Sequence, residues 1–301
     1  MPSPELAQIV ALLRSRPVTA DVTLEGMRRG LEDLMSMIPV PADVDVEPTV
    51  AGGLTTSRPA ELLTPPGAEK GRAVLYLHGG AYVLGSPKSH RELAARIGRA
   101  ARSAVVVLDY RLAPEHPFPA AVDDAFAAYR WILDSGTAPQ HVAIAGDSAG
   151  GGLTVAMLLA ARDAGAPMPG AAALLSPWTD LEGTGASVVT NAGTDPMVQM
   201  DGLHFMARLY VGGGDIRHPR ISSIHADLAG LPPLLIQAGK AEALLDDSVR
   251  LADRARASGV DVTLELWDDM IHVFQAFSML PEGQQAVAQI GEFIRRRTAL
   301  V

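Results

Sequence analysis

Residues 141–161 read HVAIAGDSAGGGLTVAMLLAA, and how this stretch folds decides the rest of the chain. The apolar run Val142–Ala145 has the length of a strand and stops at Gly146-Asp147-Ser148-Ala149-Gly150. From Leu153 to Ala161 the chain is apolar again, now over a span that suits a helix. A buried strand that passes at once into a buried helix must turn within a few residues. Glycine on either side of the serine suits that turn, because backbone there meets backbone with no Cβ between. The pattern G-x-S-x-G thus predicts Ser148 raised at the carboxyl end of a strand. The helix N-terminus just beyond favours a developing negative charge.

Short apolar or β-branched runs recur on both sides: DVDVEP, AELLTP, AVLYLHGG, SAVVVLDYR, AAALLSPW, PPLLIQAG and DVTLELWDD. Helical patterns separate most of them, as in residues 120–133, 153–164 and 246–257. Strands alternating with helices predict an α/β fold, a mostly parallel central sheet covered by helices on both faces. Ahead of the sheet lie two amphipathic stripes. Leu6, Ile9, Val10 and Leu13 form the first, stopped by Pro17; Leu24, Met27, Leu31, Leu34 and Ile38 form the second, stopped at residues 39–41. Residues 181–225 break the rhythm, with a helix-like stretch at 203–210 and no strong strand. This interval reads as an insertion over one end of the sheet.

Composition excludes several classes. The chain has 301 residues, 48% of them hydrophobic, enough for a sizeable core. A formal net charge of −9 argues against nucleic acid and against a membrane surface, both of which call for a basic face. No run of eighteen apolar residues is present, so no membrane span is expected. The first residues lack a basic leader and a cleavage site, and the expected location is cytoplasmic. With no cysteine there is no disulfide and no thiol nucleophile. Neither H-E-x-x-H, a phosphate-binding G-x-x-x-x-G-K-[ST], nor G-x-G-x-x-G in a βαβ setting is present, so no metal and no organic cofactor are expected.

A serine needs a base to become a nucleophile. Of the eight histidines, His272 alone follows a strand-like run late in the chain, as the order serine, acid, histidine requires. His116 and His141 read as turn residues, His204 falls in the insertion, and His90, His218 and His225 follow no matching strand end. Two acids compete to orient the imidazole: Glu242, after PPLLIQAG, is preferred, with Asp180, after AAALLSPW, as the alternative. Asp246 and Asp247 read as the start of the next helix. Gly79 and Gly80, just past LYLH, suit backbone N–H groups that hold an oxyanion together with that of Ala149.

The segments HGGAYVLGS, DYRLAPEHPFPAAVDDA, GDSAGGGL, LPPLLIQAGKAEALLDDS and DMIHVFQAF together resemble the hormone-sensitive-lipase-like esterases, bacterial family IV, of the α/β-hydrolase fold. The resemblance spans residues 72–278. It implies a triad of Ser148, Glu242 and His272, an oxyanion hole from Gly79, Gly80 and Ala149, and hydrolysis of short- to medium-chain carboxylic esters. Lactonase or amidase activity with the same triad, or a receptor without catalysis, stand as alternatives. It further implies a helical cap: N-terminal helices at 1–45, a catalytic part at 46–180, a cap insertion at 181–225 and a second catalytic part at 226–301. Tyr82, Met35, Ile38, Phe205 and Leu209 are expected around the substrate, and Asp109, Arg111, Glu115 and Asp123 in a polar network behind the site. A homodimer through the edge strand DVTLELW is a further expectation. Three departures stand out: Ala81 where many relatives have a third glycine, Glu242 where many have aspartate, and Lys240 two residues before that acid. Lys240 reads either as a solvated side chain or as a charge that alters the acid.

Overall fold

The computed structural model describes residues 3–15, 23–53 and 56–300. In chain order the elements are α1 (Pro4–Arg14), α2 (Leu24–Met35), β1 (Asp45–Ala51), β2 (Arg58–Thr64), β3 (Ala73–Leu77), α3 (Pro87–Ala101), β4 (Ala104–Leu108), α4 (Ala120–Asp134), β5 (Val142–Asp147), α5 (Ala149–Asp163) and β6 (Ala171–Leu175). They continue as α6 (Ser187–Thr190), α7 (Met200–Val211), β7 (Leu234–Gly239), α8 (Leu245–Ala257), β8 (Val262–Trp267) and α9 (Pro281–Arg297). Each run read as a strand forms one. Pro17, read as the stop of the first helix, lies outside the described residues.

The strands make one eight-stranded sheet in the order β1-β2-β4-β3-β5-β6-β7-β8. β1 and β2 are antiparallel, and every pairing from β4 through β8 is parallel. Pairings such as Leu77 with Gly146, Asp147 with Leu175 and Gly239 with Trp267 bring the carboxyl ends of neighbouring strands level along one edge. In an open α/β sheet that edge is where reactive groups gather.

Period-two alternation sorts the core. Leu75, Leu77, Ile144, Leu174 and Ile236 face one side, packed with α4, α5 and α8 residues such as Val122, Leu153 and Leu251. Val74, Tyr76, Ala143, Ala145 and Leu175 face the other, against Leu93 and Ile97 of α3 and Ile290 and Ile294 of α9. α5 is buried continuously from Ala149 to Ala161, as an all-apolar helix must be. α1 lays Leu6 and Ile9 on Ile271, Phe274 and Phe277. α2 buries no residue fully. It is held instead by Arg28, which donates to Val83 O at 2.8 Å, Ala113 O at 2.9 Å and the Glu115 carboxylate at 2.7 Å.

The polar network differs from the one expected. Arg111 pairs with Asp124, not Asp123: its Nη2 reaches Asp124 Oδ1 at 2.7 Å, and Arg58 approaches the same carboxylate at 3.5 Å. Consecutive residues of a helix point about 100° apart. α4 therefore turns Asp124 into the core and leaves Asp123 exposed. Glu115 belongs to the separate Arg28 contact.

Candidate active site

Ser148 sits between β5 and α5 with φ 52° and ψ −121°, a strained conformation for a non-glycine residue. The strain is held by four hydrogen bonds. Its N–H donates to Leu175 O at 2.8 Å, and its carbonyl accepts from Gly151 N at 3.0 Å, Gly152 N at 3.2 Å and Trp178 N at 2.9 Å. The flanking glycines follow from close approach: a Cβ on Gly146 would stand 2.4 Å from Gly150 O, and one on Gly150 only 1.9 Å from Leu77 O. The sequence therefore has no other residue it could place at either position without moving β3 or α5.

His272 lies in the loop after β8, almost wholly buried, with Nε2 2.9 Å from Ser148 Oγ. Its Nδ1 faces Glu242 Oε1 at 3.9 Å, and neither atom has another partner. The separation is an ion-pair distance, longer than a hydrogen bond, and such contacts tighten as charge develops on the imidazole. Burial alone would push the imidazole down. The Glu242 carboxylate, with smaller help from Asp195 and Asp147, outweighs it and holds His272 above the ordinary histidine value.

The other oxygen of Glu242 is fixed by Ser176 Oγ at 2.7 Å and Gly239 N at 3.1 Å. Ser176 also accepts from Val273 N at 3.1 Å, so one hydroxyl joins the acid to the histidine loop. Sequence reading missed Ser176. The available signal was its place just past the β6 run AAALL, between the strands that lead to Ser148 and Glu242.

Asp180, the alternative acid, is turned elsewhere. Its carboxylate takes Arg250 Nη1 at 2.8 Å and the Thr184 N–H at 3.0 Å. Asp180, Glu182 and His225 are the one grouping of metal-ligating side chains among the described residues. Arg250 and Arg217 already neutralise its two carboxylates, which opposes a further cation.

One expected oxyanion donor is corrected. The N–H of Gly79 is engaged by Asp147 Oδ1 at 3.0 Å, which also accepts the Tyr76 hydroxyl at 2.7 Å. Asp147 is the residue before the serine, and its side chain reaches back across β3. Burial would raise this carboxyl, but His90, 3.4 Å away, and Tyr76 hold it below its ordinary value. The neighbouring His78 is driven down to about 3 by burial and by His90, so it stays neutral. Beyond Gly79 the chain turns through Gly80, Ala81 and Tyr82 with φ of 113°, 55° and 63°, closed by Leu84 N donating to Gly80 O at 2.8 Å. Among the described residues, the N–H groups of Gly80, Ala81 and Ala149 have no acceptor. Successive free N–H groups on such a turn form an anion-binding concavity.

The residues expected around a substrate are dispersed. Tyr82 is buried and stacked on Tyr210, with centroids 3.8 Å apart. Met35 packs on the α3 and α9 side of the core, Leu209 packs on the opposite side, and Ile38 is half-buried. Phe205 is 46% exposed on α7. Lys240 points away from the acid to the surface, its Nζ 2.6 Å from Asp268.

A family model described as the α/β-hydrolase fold matches residues 74–276. An acetyl-hydrolase of Streptomyces hygroscopicus is 50% identical over 234 residues, 77% of this chain and 78% of that protein. An esterase of Acinetobacter venetianus is 34% identical over 280 residues, 92% of this chain and 90% of its own. Among solved structures, the esterase EstE5 soaked with ethyl alcohol superposes with a TM-score of 0.95 at 50% identity, covering 99% of this chain and 100% of that one. An esterase from the bacterial hormone-sensitive lipase family does so with a TM-score of 0.96 at 48% identity, again covering 99% and 100%.

Proposed function

This chain belongs to the α/β-hydrolase fold family, among the hormone-sensitive-lipase-like carboxylesterases, and from that premise we propose which residues act and on which esters. Ser148, His272 and Glu242 form the triad, and the N–H groups of Gly80, Ala81 and Ala149 hold the oxyanion. His272 Nε2 takes the proton of Ser148 Oγ as that oxygen attacks the acyl carbon. The carbonyl oxygen gains negative charge against the three N–H groups, of which that of Ala149 opens α5. His272 then protonates the departing alcohol. A water, deprotonated by the same nitrogen, attacks the acyl-serine and releases the acid. Glu242 keeps the imidazole in the right tautomer and balances its charge.

The observation that carries this reading is the 2.9 Å contact between His272 Nε2 and a serine held at φ 52° over the carboxyl edge of the sheet. The substrates are short- to medium-chain acyl esters. One support is the acetyl-hydrolase relative. Another lies one helical turn past the nucleophile, where a Cβ on Gly152 would meet Tyr82 Oη at 2.5 Å and Trp178 O at 2.2 Å. The Tyr82 hydroxyl and the Trp178 backbone carbonyl occupy that space, so this face of α5 offers no cavity for a long acyl chain. Among the described residues, 3–15, 23–45 and 181–225 act as the cap over the site.

Hydrolysis of p-nitrophenyl esters from acetate to palmitate, wild type beside Ser148→Ala, tests both parts. The wild type is expected to prefer the short esters, and the variant to fall to background. Equal rates in the two proteins would remove Ser148 from the reaction, and preference for palmitate would refute the chain length.

A further inference from the structure

The loop that carries Glu242 is gripped from outside the sheet. Its N–H groups face inward: Lys240 N donates to Trp267 O at 2.9 Å and Ala241 N to Met270 O at 3.0 Å. Its carbonyls face the inserted segment, and four in succession accept side-chain hydrogen bonds from it. Asn191 Nδ2 donates to Lys240 O at 3.0 Å and to Glu242 O at 2.8 Å. Thr194 Oγ1 donates to Ala241 O at 2.9 Å, and Ser187 Oγ to Ala243 O at 2.7 Å. Of the remaining two N–H groups, that of Glu242 turns back to Gly239 O at 3.4 Å and that of Ala243 goes to Asp195 Oδ2 at 2.8 Å. Asp195 is itself buried, and its other oxygen accepts Met197 N at 2.8 Å and Val198 N at 3.0 Å.

A short loop whose consecutive carbonyls are all claimed by one distant segment has little freedom to drift. The Glu242 side chain leaves from the middle of that loop and stands 3.9 Å from His272 Nδ1, where a small displacement changes how well it holds an imidazolium. We propose that Asp195 and Asn191 are positioning residues for the ester hydrolysis: the segment 187–195 fixes the loop 240–243 and so sets where the Glu242 carboxylate meets His272. This rests on the reading of Glu242 as the catalytic acid. The insertion then does more than shape the pocket, because it also aligns the triad.

Asp195→Asn separates the two jobs of that side chain. An asparagine oxygen still accepts the N–H groups of Met197 and Val198, while its amide meets the Ala243 N–H donor to donor. With p-nitrophenyl butyrate the variant is expected to lose between about 10- and 100-fold in kcat, with KM within about twofold. In a Glu242→Ala background the same substitution is expected to change kcat by less than about twofold, because the group it positions is gone. Asn191→Ala, run through the same cycle, gives a second reading if Asp195→Asn folds poorly. Wild-type kcat in both variants, or equal losses with and without Glu242, would overturn the proposal while leaving the acid in place. Wild-type kcat in Glu242→Ala itself would instead overturn the acid, and the proposal with it.

Discussion

Single side chains decide the chemistry of this site through the charges they face. In the proposed mechanism His272 must be neutral to accept the serine proton, and its pKa is held above the ordinary 6.5 by Glu242, Asp195 and Asp147 acting against burial. A raised pKa keeps the base protonated to higher pH. The acid limb of kcat/KM is therefore expected to have its midpoint above 6.5, with activity rising toward alkaline pH. A midpoint below that value would mean the carboxylates do not reach the imidazole. Lys240, only two residues from the acid, sends its charge to exposed Asp268. The Lys240→Ala profile is accordingly expected to overlay the wild type. Proximity in sequence misleads here, because the side chains at 240 and 242 leave a tight turn in different directions.

At the scale of elements, the proposed oxyanion site belongs to a loop rather than to any one residue. The turn 80–84 has Gly80 at φ 113°, and a Cβ there would stand 2.3 Å from Leu84 O. Gly80→Ala is expected to open the turn and reduce kcat by about 10²–10³, the effect of losing an oxyanion donor. Assay with p-nitrophenyl butyrate beside a thermal melt checks this, and an unchanged kcat would take Gly80 out of the site. Ala81 shows how a departure from the three-glycine pattern is accommodated. It occupies φ 55°, a conformation that favours glycine but that a small side chain tolerates.

Across the whole molecule, stability and pH are linked through a carboxyl far from the serine in sequence. Asp247, on the first turn of α8, is fully buried against Thr179 and Asp180, and burial pushes it up to about 7 despite the N–H groups it accepts. The folded chain keeps this proton to about 7, whereas an unfolded chain loses it near 4. Between those values the folded state binds more protons, so stability contributed here is full at low pH and declines as pH rises toward 7. Asp247→Asn cannot titrate, and its oxygen can still accept both N–H groups. Its melting temperature relative to wild type is expected to improve steadily from about pH 4 to 7 and then level off. Parallel curves for the two proteins would show that Asp247 is ionised throughout.

The sequence by itself determined whatever local periodicity and backbone chemistry can write. The short apolar runs such as AVLYL and Val142–Ala145, alternating with helical patterns, were enough for the sheet. The glycines around Ser148 were enough for the elbow, because a Cβ at either place collides with backbone. Chain order then singled out His272. Only the tertiary structure decided which polar groups meet once those elements pack. It gave the N–H of Gly79 to Asp147 and left Gly80 and Ala81 free, a choice made by a carboxylate almost seventy residues away in sequence. It turned Asp124 rather than Asp123 into the core, since the phase of α4 depends on what the helix packs against. It paired Asp180 with Arg250 and left Glu242 for His272. It brought Ser176 and the segment 187–195 onto the acid loop, where nothing in their local pattern announced a role. Hydrogen-bond partners at long separation depend on distances of tenths of an ångström between elements, and those are set by packing that no short stretch of chain contains.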